Sequence, residues 1–219
     1  MLKMGSLLIN MALAMAPMVG ISMSEDHKDH LIQAVTRQAE TLDKSVLKKA
    51  IKAYEEAQED GLARSPLLTI VDYGKPSYEP RLWVVDVKRK KVLYEEYVSH
   101  GSGSGDVYAK NFSNKPESHQ SSIGVFVTQK PYYGKNGYSL RVEGLEEDVN
   151  DLAKERGIVV HGGDYVREEY IERYGKAGRS HGCFVVSDRV NRQLINTIQD
   201  GSVIYVYSPK RSWFSRLFG

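Results

Sequence analysis

Between residues 67 and 207 the chain returns repeatedly to short runs of β-branched and aromatic residues, and this spacing most constrains its fold. The runs cover 67–73, 82–87, 92–98, 123–128, 138–142, 157–160 and 202–207. Their length and composition predict strands. Lys88-Arg89-Lys90-Lys91 falls between the second and third and reads as a hairpin turn, its charges protecting a sheet edge rather than binding a polyanion. Before Pro66 the period changes. Leu31, Ala34, Val35 and Ala39, then Val46, Leu47, Ala50, Ile51 and Tyr54, recur at three- and four-residue steps. Two helices are expected, broken near Leu42-Asp43, with Ser45 capping the second and Gly61 ending it. The predicted fold is therefore mainly β: one domain over 65–208 with a helical prefix over 25–64.

The two ends differ from this body. Lys3 precedes an apolar stretch over 7–16, and small residues at Gly20, Ser22 and Ser24 come before Glu25-Asp26, the pattern of a secretory signal peptide over 1–24. The stretch is short and interrupted for a membrane span; an uncleaved anchor is the alternative. The tail over 209–219 joins Lys210, Arg211 and Arg216 to Trp213, Phe214, Leu217 and Phe218. Such a mixture suits contact with an anionic membrane surface, with a frayed or self-packed end as its plain alternative. Without the leader, which contains Lys3, 30 − 1 = 29 basic side chains face 28 acidic ones, a balance that gives no support to nucleic-acid binding. The remaining 219 − 24 = 195 residues suffice for one core plus an appended element.

Cys183 is the only cysteine, so an exported fold must stand without an intramolecular disulfide. A lone cysteine is most often a small core residue. This one follows the polar turn Arg179-Ser180-His181-Gly182, and a second histidine lies upstream in Ile158-Val159-Val160-His161-Gly162-Gly163. Thiol and imidazole together suit nucleophilic catalysis, because the thiolate attacks and a base must take the proton of a group whose free pKa is about 8.5. Gly182 lets the main chain approach closely, which makes the N–H groups of Gly182 and Cys183 candidates for an oxyanion hole. Ser99-His100-Gly101-Ser102-Gly103-Ser104-Gly105 either lines the cleft, His100 included, or is an ordinary loop; it is no Walker loop, since no G-K-[ST] follows.

His161 followed by Ser180-His181-Gly182-Cys183 resembles the signature of the L,D-transpeptidases. Tyr97-Val98-Ser99-His100-Gly101, Asn111-Phe112-Ser113-Asn114, Ser121-Ser122-Ile123-Gly124, Tyr133-Gly134-Lys135-Asn136-Gly137-Tyr138-Ser139-Leu140-Arg141 and Gly144-Leu145-Glu146 are similar to the murein L,D-transpeptidase catalytic-domain subfamily of bacterial envelopes. The likeness covers roughly residues 65 to 208, with its motifs in order. It implies a catalytic β-sandwich with short helices in its loops, no cofactor and no metal, and a substrate of peptidoglycan stem peptides in the periplasm of a Gram-negative bacterium. Cys183 would form a thioester with the third residue of a tetrapeptide, release D-alanine and pass the acyl group to an amine, giving a 3-3 cross-link. His161 would move the protons, oriented by a backbone carbonyl at the position of Gly162.

Ser180, His181, Arg179, Arg141, Tyr138 and His100 are the expected substrate-binding residues, with shaping of the loop before the thiol as the alternative for Ser180 and His181. For the two arginines the chemistry is carboxylate pairing or a surface ion pair, and for Tyr138 packing over the stem peptide or in the core. The chain departs from the pattern at Phe184 and Val185, where relatives carry proline or an aliphatic residue followed by a polar one, and this bears on acceptor choice and carboxylate recognition. The tyrosine-rich insert 162–179, with Tyr165, Tyr170 and Tyr174, is expected to be a helix-containing lid. Three alternatives stay open: a carboxypeptidase or hydrolase with the same cysteine, a zinc site on His161, His181 and Cys183, and a wall-binding protein without catalysis. Nothing in the sequence sets the oligomeric state.

Overall fold

A computed structural model describes residues 23–209. The expected leader, apart from its last two residues, and the tail from 210 onward lie outside the described residues. The chain opens with α1 (Glu25–Gln38) and α2 (Lys44–Glu59), as the three- and four-residue apolar steps require. The cap of α2 is Asp43 rather than Ser45: its carboxylate accepts from the Ser45 and Val46 N–H groups, at 2.7 and 3.1 Å. An aspartate two residues earlier satisfies the orphan donors that Ser45, already inside the helix, cannot. Gly61, at φ 69°, supplies the left-handed turn that ends the helix.

Strands β1 (Leu67–Asp72), β2 (Leu82–Asp86), β3 (Lys91–Glu96), β4 (Gly124–Gly134), β5 (Gly137–Gly144) and β6 (Val159–Gly163) follow. The insert carries the short helix α3 (Glu168–Tyr174), and the chain continues through β7 (Phe184–Ser187) and α4 (Asp188–Ile198) to β8 (Val203–Tyr207). All eight strands form one sheet in the order β3-β2-β1-β8-β4-β5-β6-β7. It is antiparallel except for β1 with β8 and β6 with β7. The sheet curls toward a barrel, since the segment after β3 runs beside the chain entering β7: Ser99 N–H donates to Val185 O, Ser180 N–H to His100 O, and Ser102 N–H to Ser180 O. The expected mainly β class holds, and the layers of the sandwich are parts of one curled sheet.

Alternation along the strands separates two cores. Leu68, Ile70, Trp83, Val85, Val203 and Tyr205 pack under α1 and α2. Val71, Val84, Phe126, Leu140, Val160, Phe184, Ile204 and Val206 point the other way and pack with Leu194, Ile195 and Ile198 of α4. The helical prefix is therefore part of the fold's core and not an appended element, because α2 covers β1 and β8.

One buried polar side chain ties the β4–β5 edge to the loop before β6. Asn150 donates from its amide to the carbonyls of Ile123 and Val125, at 2.9 and 3.0 Å, and accepts from the Glu146 N–H at 2.9 Å. Removing it takes a partner from three backbone groups, of which the Val125 carbonyl keeps the Leu145 N–H at 3.0 Å; a buried group left unpaired costs roughly 1–3 kcal/mol. Asn150→Ala is expected to lower stability by about 3 kcal/mol, measured as a shift of the urea midpoint, whereas exposed substitutions nearby stay within about 0.5 kcal/mol.

Candidate active site

Cys183 lies at the entry to β7, and the parallel register of β6 with β7 decides what shares its face. His161 is aligned with Val185, and Ser139 of β5 with His161. Residues two apart point the same way, so Cys183, Val185, His161 and Ser139 face one side and Phe184 the other. The thiol and the imidazole therefore stand diagonally on one face of neighbouring strands. Both side chains line one cleft of about 540 Å³, together with Ser180, His181, Arg179, Tyr165, Arg156 and Lys135.

The imidazole is held in one tautomer. His161 Nδ1 lies 2.9 Å from the Gly162 carbonyl, which can only accept, so Nδ1 carries the proton and Nε2 keeps its lone pair. Gly162 is needed where it stands: a Cβ there would come within 2.9 Å of Asp188 Cα and 3.0 Å of Asn191 Cβ, in the first turns of α4. Burial depresses the His161 pKa below its ordinary value, against the raising effect of the Gly162 bond. The half-buried thiol donates to Gly157 O at 3.6 Å. Burial raises its pKa, opposed by the Val159 N–H and by the charges of Lys135 and Arg156. Both shifts favour neutral thiol beside neutral imidazole at rest, not a preformed ion pair.

This has a kinetic consequence. The rate of Cys183 alkylation by iodoacetamide is expected to keep rising with pH beyond about 8.5, the ordinary thiol value. A plateau between pH 6 and 8, the mark of a stable thiolate–imidazolium pair, would contradict it.

The loop before the thiol is built by its own side chains. Ser180 Oγ–H donates to Cys183 O at 2.8 Å and accepts the Gly182 N–H at 3.1 Å. Gly182 sits at φ 119°, where a Cβ would come within 2.8 Å of both Gln120 O and Ile158 Cδ1. Because its N–H is taken by Ser180, Gly182 does not offer that N–H to an oxyanion in this arrangement. His181 stacks on His119, with centroids 4.0 Å apart and planes 8° apart.

A model of the L,D-transpeptidase catalytic domain (YkuD_2) matches residues 38–207. The chain belongs to the L,D-transpeptidase catalytic-domain family. No curated protein sequence matches it. Among solved structures, an L,D-transpeptidase from Mycobacterium smegmatis is similar at 17% identity and a TM-score of 0.41, over 66% of this chain and 59% of that one. An L,D-transpeptidase from Stackebrandtia nassauensis is similar at 14% identity and 0.39, over 85% and 80%. The helical cell shape determining protein Pgp2 from Campylobacter jejuni is similar at 11% identity and 0.42, over 73% and 54%. This chain thus spans less than two thirds of the length of the first and the last of these.

Several expected substrate residues of this L,D-transpeptidase domain sit elsewhere. Tyr138 lies on the α4 side of β5, because alternation turns it away from Ser139 and His161; its hydroxyl donates to Asn196 Oδ1 at 2.7 Å and its ring meets Tyr133. Arg141 stacks on Tyr132, 3.9 Å from the ring centroid, and lines a different groove with Arg64 and Glu143. His100 is fully buried: Arg81 donates to its Nδ1 at 2.9 Å, and Nε2 faces Gly105 O at 3.3 Å. Burial, then the Arg81 charge, pull its pKa down to about 4, so it is a neutral structural group rather than a substrate ligand. Arg179 lines the cleft but is committed to Gly105 O and lies 3.6 Å from Asp106. Phe184 is buried edge-on against Phe126 in the α4 core and does not face the cleft, which removes it as a contact for the acyl acceptor.

The insert does contain a helix, α3, but it is anchored. Val166, Ile171 and Ala177 pack on Val185, Arg167 pairs with Asp188 of α4, and the Tyr165 ring fills the space that side chains at Gly163 and Gly178 would occupy. Tyr165 lines the cleft, and burial, followed by the nearby Cys183 and Asp164, pushes its pKa up to about 12. The zinc alternative finds no geometry: among the described residues no three His, Cys, Asp or Glu side chains gather as ligands.

Arg156 went unnoticed in the sequence. Its guanidinium donates to Ser113 O, Ser122 Oγ and Gln120 O, each at 2.6 Å, and to Ser118 Oγ at 3.2 Å. It thereby clamps the loop 113–122 as one cleft wall. Glu117 and His119 in that loop hold φ of 56° and 52°, a strain of roughly 1–3 kcal/mol each that the clamp and the His119–His181 stack offset. No local signal marks Arg156, since its partners are all more than thirty positions away.

Proposed function

We propose that this L,D-transpeptidase domain is a cysteine acyltransferase of peptidoglycan stem peptides in the bacterial envelope. The observation that carries the reading is the His161 tautomer: with Nδ1–H on the Gly162 carbonyl, Nε2 is the free base of a cleft that also holds Cys183. Cys183 attacks the carbonyl of the L-centre of the third residue in a tetrapeptide, and its proton passes to His161. The new S–C bond forms a tetrahedral intermediate. On collapse the C–N bond breaks, His161 returns the proton to the departing amine, and D-alanine leaves. An amine of a second stem then attacks the thioester, gives a proton through His161 to the leaving thiolate, and restores the enzyme.

The Cys183 N–H is the donor left for the oxyanion, since Ser180 occupies that of Gly182. The neutral resting pair suits a base that accepts the proton only as sulfur attacks. The envelope location is supported by the leader pattern over 1–24.

The test is incubation of the protein without its leader with stem tetrapeptide and analysis of products by mass spectrometry. Free D-alanine with a cross-linked dimer is expected. Free D-alanine with tripeptide alone assigns water as the acceptor, and absence of D-alanine contradicts acyl transfer.

A further inference from the structure

The cleft has three permanent cations, Lys135, Arg156 and Arg179, and only one is uncommitted. Arg156 spends its donors on four groups of the 113–122 loop. Arg179 donates to Gly105 O and lies beside Asp106, which Lys176 also holds at 2.5 Å. Among the described residues, the Lys135 side chain makes no hydrogen bond or ion pair. The carboxylates that share the cleft, Glu117 and Glu155, do not pair with it, and Glu117 lies 3.9 Å from His119 Nε2.

Its backbone placement is firm. Gly134 pairs with Gly137 in the β4–β5 register, so Lys135 and Asn136 are the two central residues of a tight hairpin turn, with Gly137 at φ 74°. β5 is in turn hydrogen-bonded to β6, the strand that carries His161. The hairpin therefore carries Lys135 and the Asn136 amide into the cleft from the strand next to the base, and the Lys135 charge acts on the Cys183 thiol.

A peptide cut beside a free carboxylate presents a negative charge that a cation lining the cleft can meet; of the residues first expected to supply one, Arg141 lies elsewhere and Arg179 is engaged through Nη1 with Gly105 O and Asp106. We propose that Lys135, with the Asn136 amide beside it, is a specificity-determining residue that holds a carboxylate flanking the scissile amide of the stem peptide. The inference rests on the acyl-transfer reading of the cleft. Two carboxylates have this chemistry: the terminal one of the leaving D-alanine and that on the side chain of the third residue. An ammonium on a short turn reads either as a point charge.

The test is calorimetric binding to full-length Cys183→Ala protein, so that no turnover intervenes, with three probes: the tetrapeptide, its C-terminal amide, and the tetrapeptide amidated on the third residue's side chain. One of the two amides is expected to bind about tenfold more weakly than the acid, the size of a charge-assisted hydrogen bond. Adding Lys135→Ala should weaken the acid to that same level and erase the difference, and Lys135→Arg should restore part of it. Lys135 is exposed on the turn, so the melting temperature serves as a folding control. Equal binding of all three probes, no binding of the acid, or discrimination that survives Lys135→Ala would overturn the proposal. Lys135-dependent binding by a wild-type protein that releases no D-alanine would instead sink the acyl-transfer reading and leave the carboxylate site standing.

Discussion

Replacing Cys183 by alanine is expected to abolish release of D-alanine from stem tetrapeptides, a loss on the order of four to six powers of ten when a covalent nucleophile is removed. The fold should survive. Cys183 is half-buried at the cleft, and its hydrogen bond to Gly157 O is long, at 3.6 Å, so the lost sulfur costs on the order of 1 kcal/mol. The loop is held instead by main-chain and Ser180 contacts that alanine leaves intact. Circular dichroism and the melting temperature check the fold, and an amino-acid assay checks turnover. Residual activity above about one part in a thousand in a folded variant would show that the sulfur is not the nucleophile.

His161→Gln is expected to slow acylation of Cys183 by about 10²–10⁴-fold, the usual contribution of a positioned general base. Glutamine matches the size of the ring and accepts hydrogen bonds but cannot take up a proton near neutral pH. The pH profile separates this from a merely structural effect. Burial depresses the His161 pKa, so the wild-type base is lost only as pH falls below the ordinary histidine range of about 6.5. That acidic limb should vanish in the variant, leaving a rate that simply climbs as the thiol ionises at high pH, its pKa itself raised by burial. Stopped-flow or quench-flow acylation across pH 5–10 reads both. A variant that is slower but keeps the acidic limb would assign the limb to another group.

Much of the fold was legible because its strands are buried on both faces. In β8, Val203 and Tyr205 pack under α1 and α2 while Ile204 and Val206 pack toward α4, so the whole segment reads as an apolar β-branched run. The helix α4 was missed although its signals are present: Ser187 caps it, accepting from the Arg189 N–H, and Val190, Leu194, Ile195 and Ile198 recur at helical steps. It is eleven residues long and carries Asn191, Asn196 and Thr197, poor helix formers, so its stability comes from packing on the sheet and not from propensity.

The candidate site divides in the same way. The local placement of Cys183, His161, Gly162 and Ser180 was legible because it is set by neighbours in sequence: a tautomer fixed by the next carbonyl, and a loop closed by the serine three residues before the thiol, which shapes the loop. Tyr138 and Arg141 were not: the pairing of Ser139 with His161 turns Tyr138 to the other face, and it sets Arg141 on the same face but further along the strand, against Tyr132 and in a different groove. The burial of His100 depends on Arg81, nineteen positions away, whose guanidinium is itself enclosed and bonded to the Val98 and Lys75 carbonyls. Arg156 acts through contacts that cross the fold, and Lys135 reaches the cleft only through the pairing of β4, β5 and β6, neither of which a single sequence displays.

The most direct test of the cysteine acyl-transfer reading is the intact mass of the reduced, folded protein after brief exposure to stem tetrapeptide, followed by peptide mapping. The expected result is a gain equal to the stem tripeptide acyl group, located on Cys183, absent from Cys183→Ala and reversed on addition of an amine acceptor. An unmodified Cys183 in a protein that nonetheless releases D-alanine would contradict it.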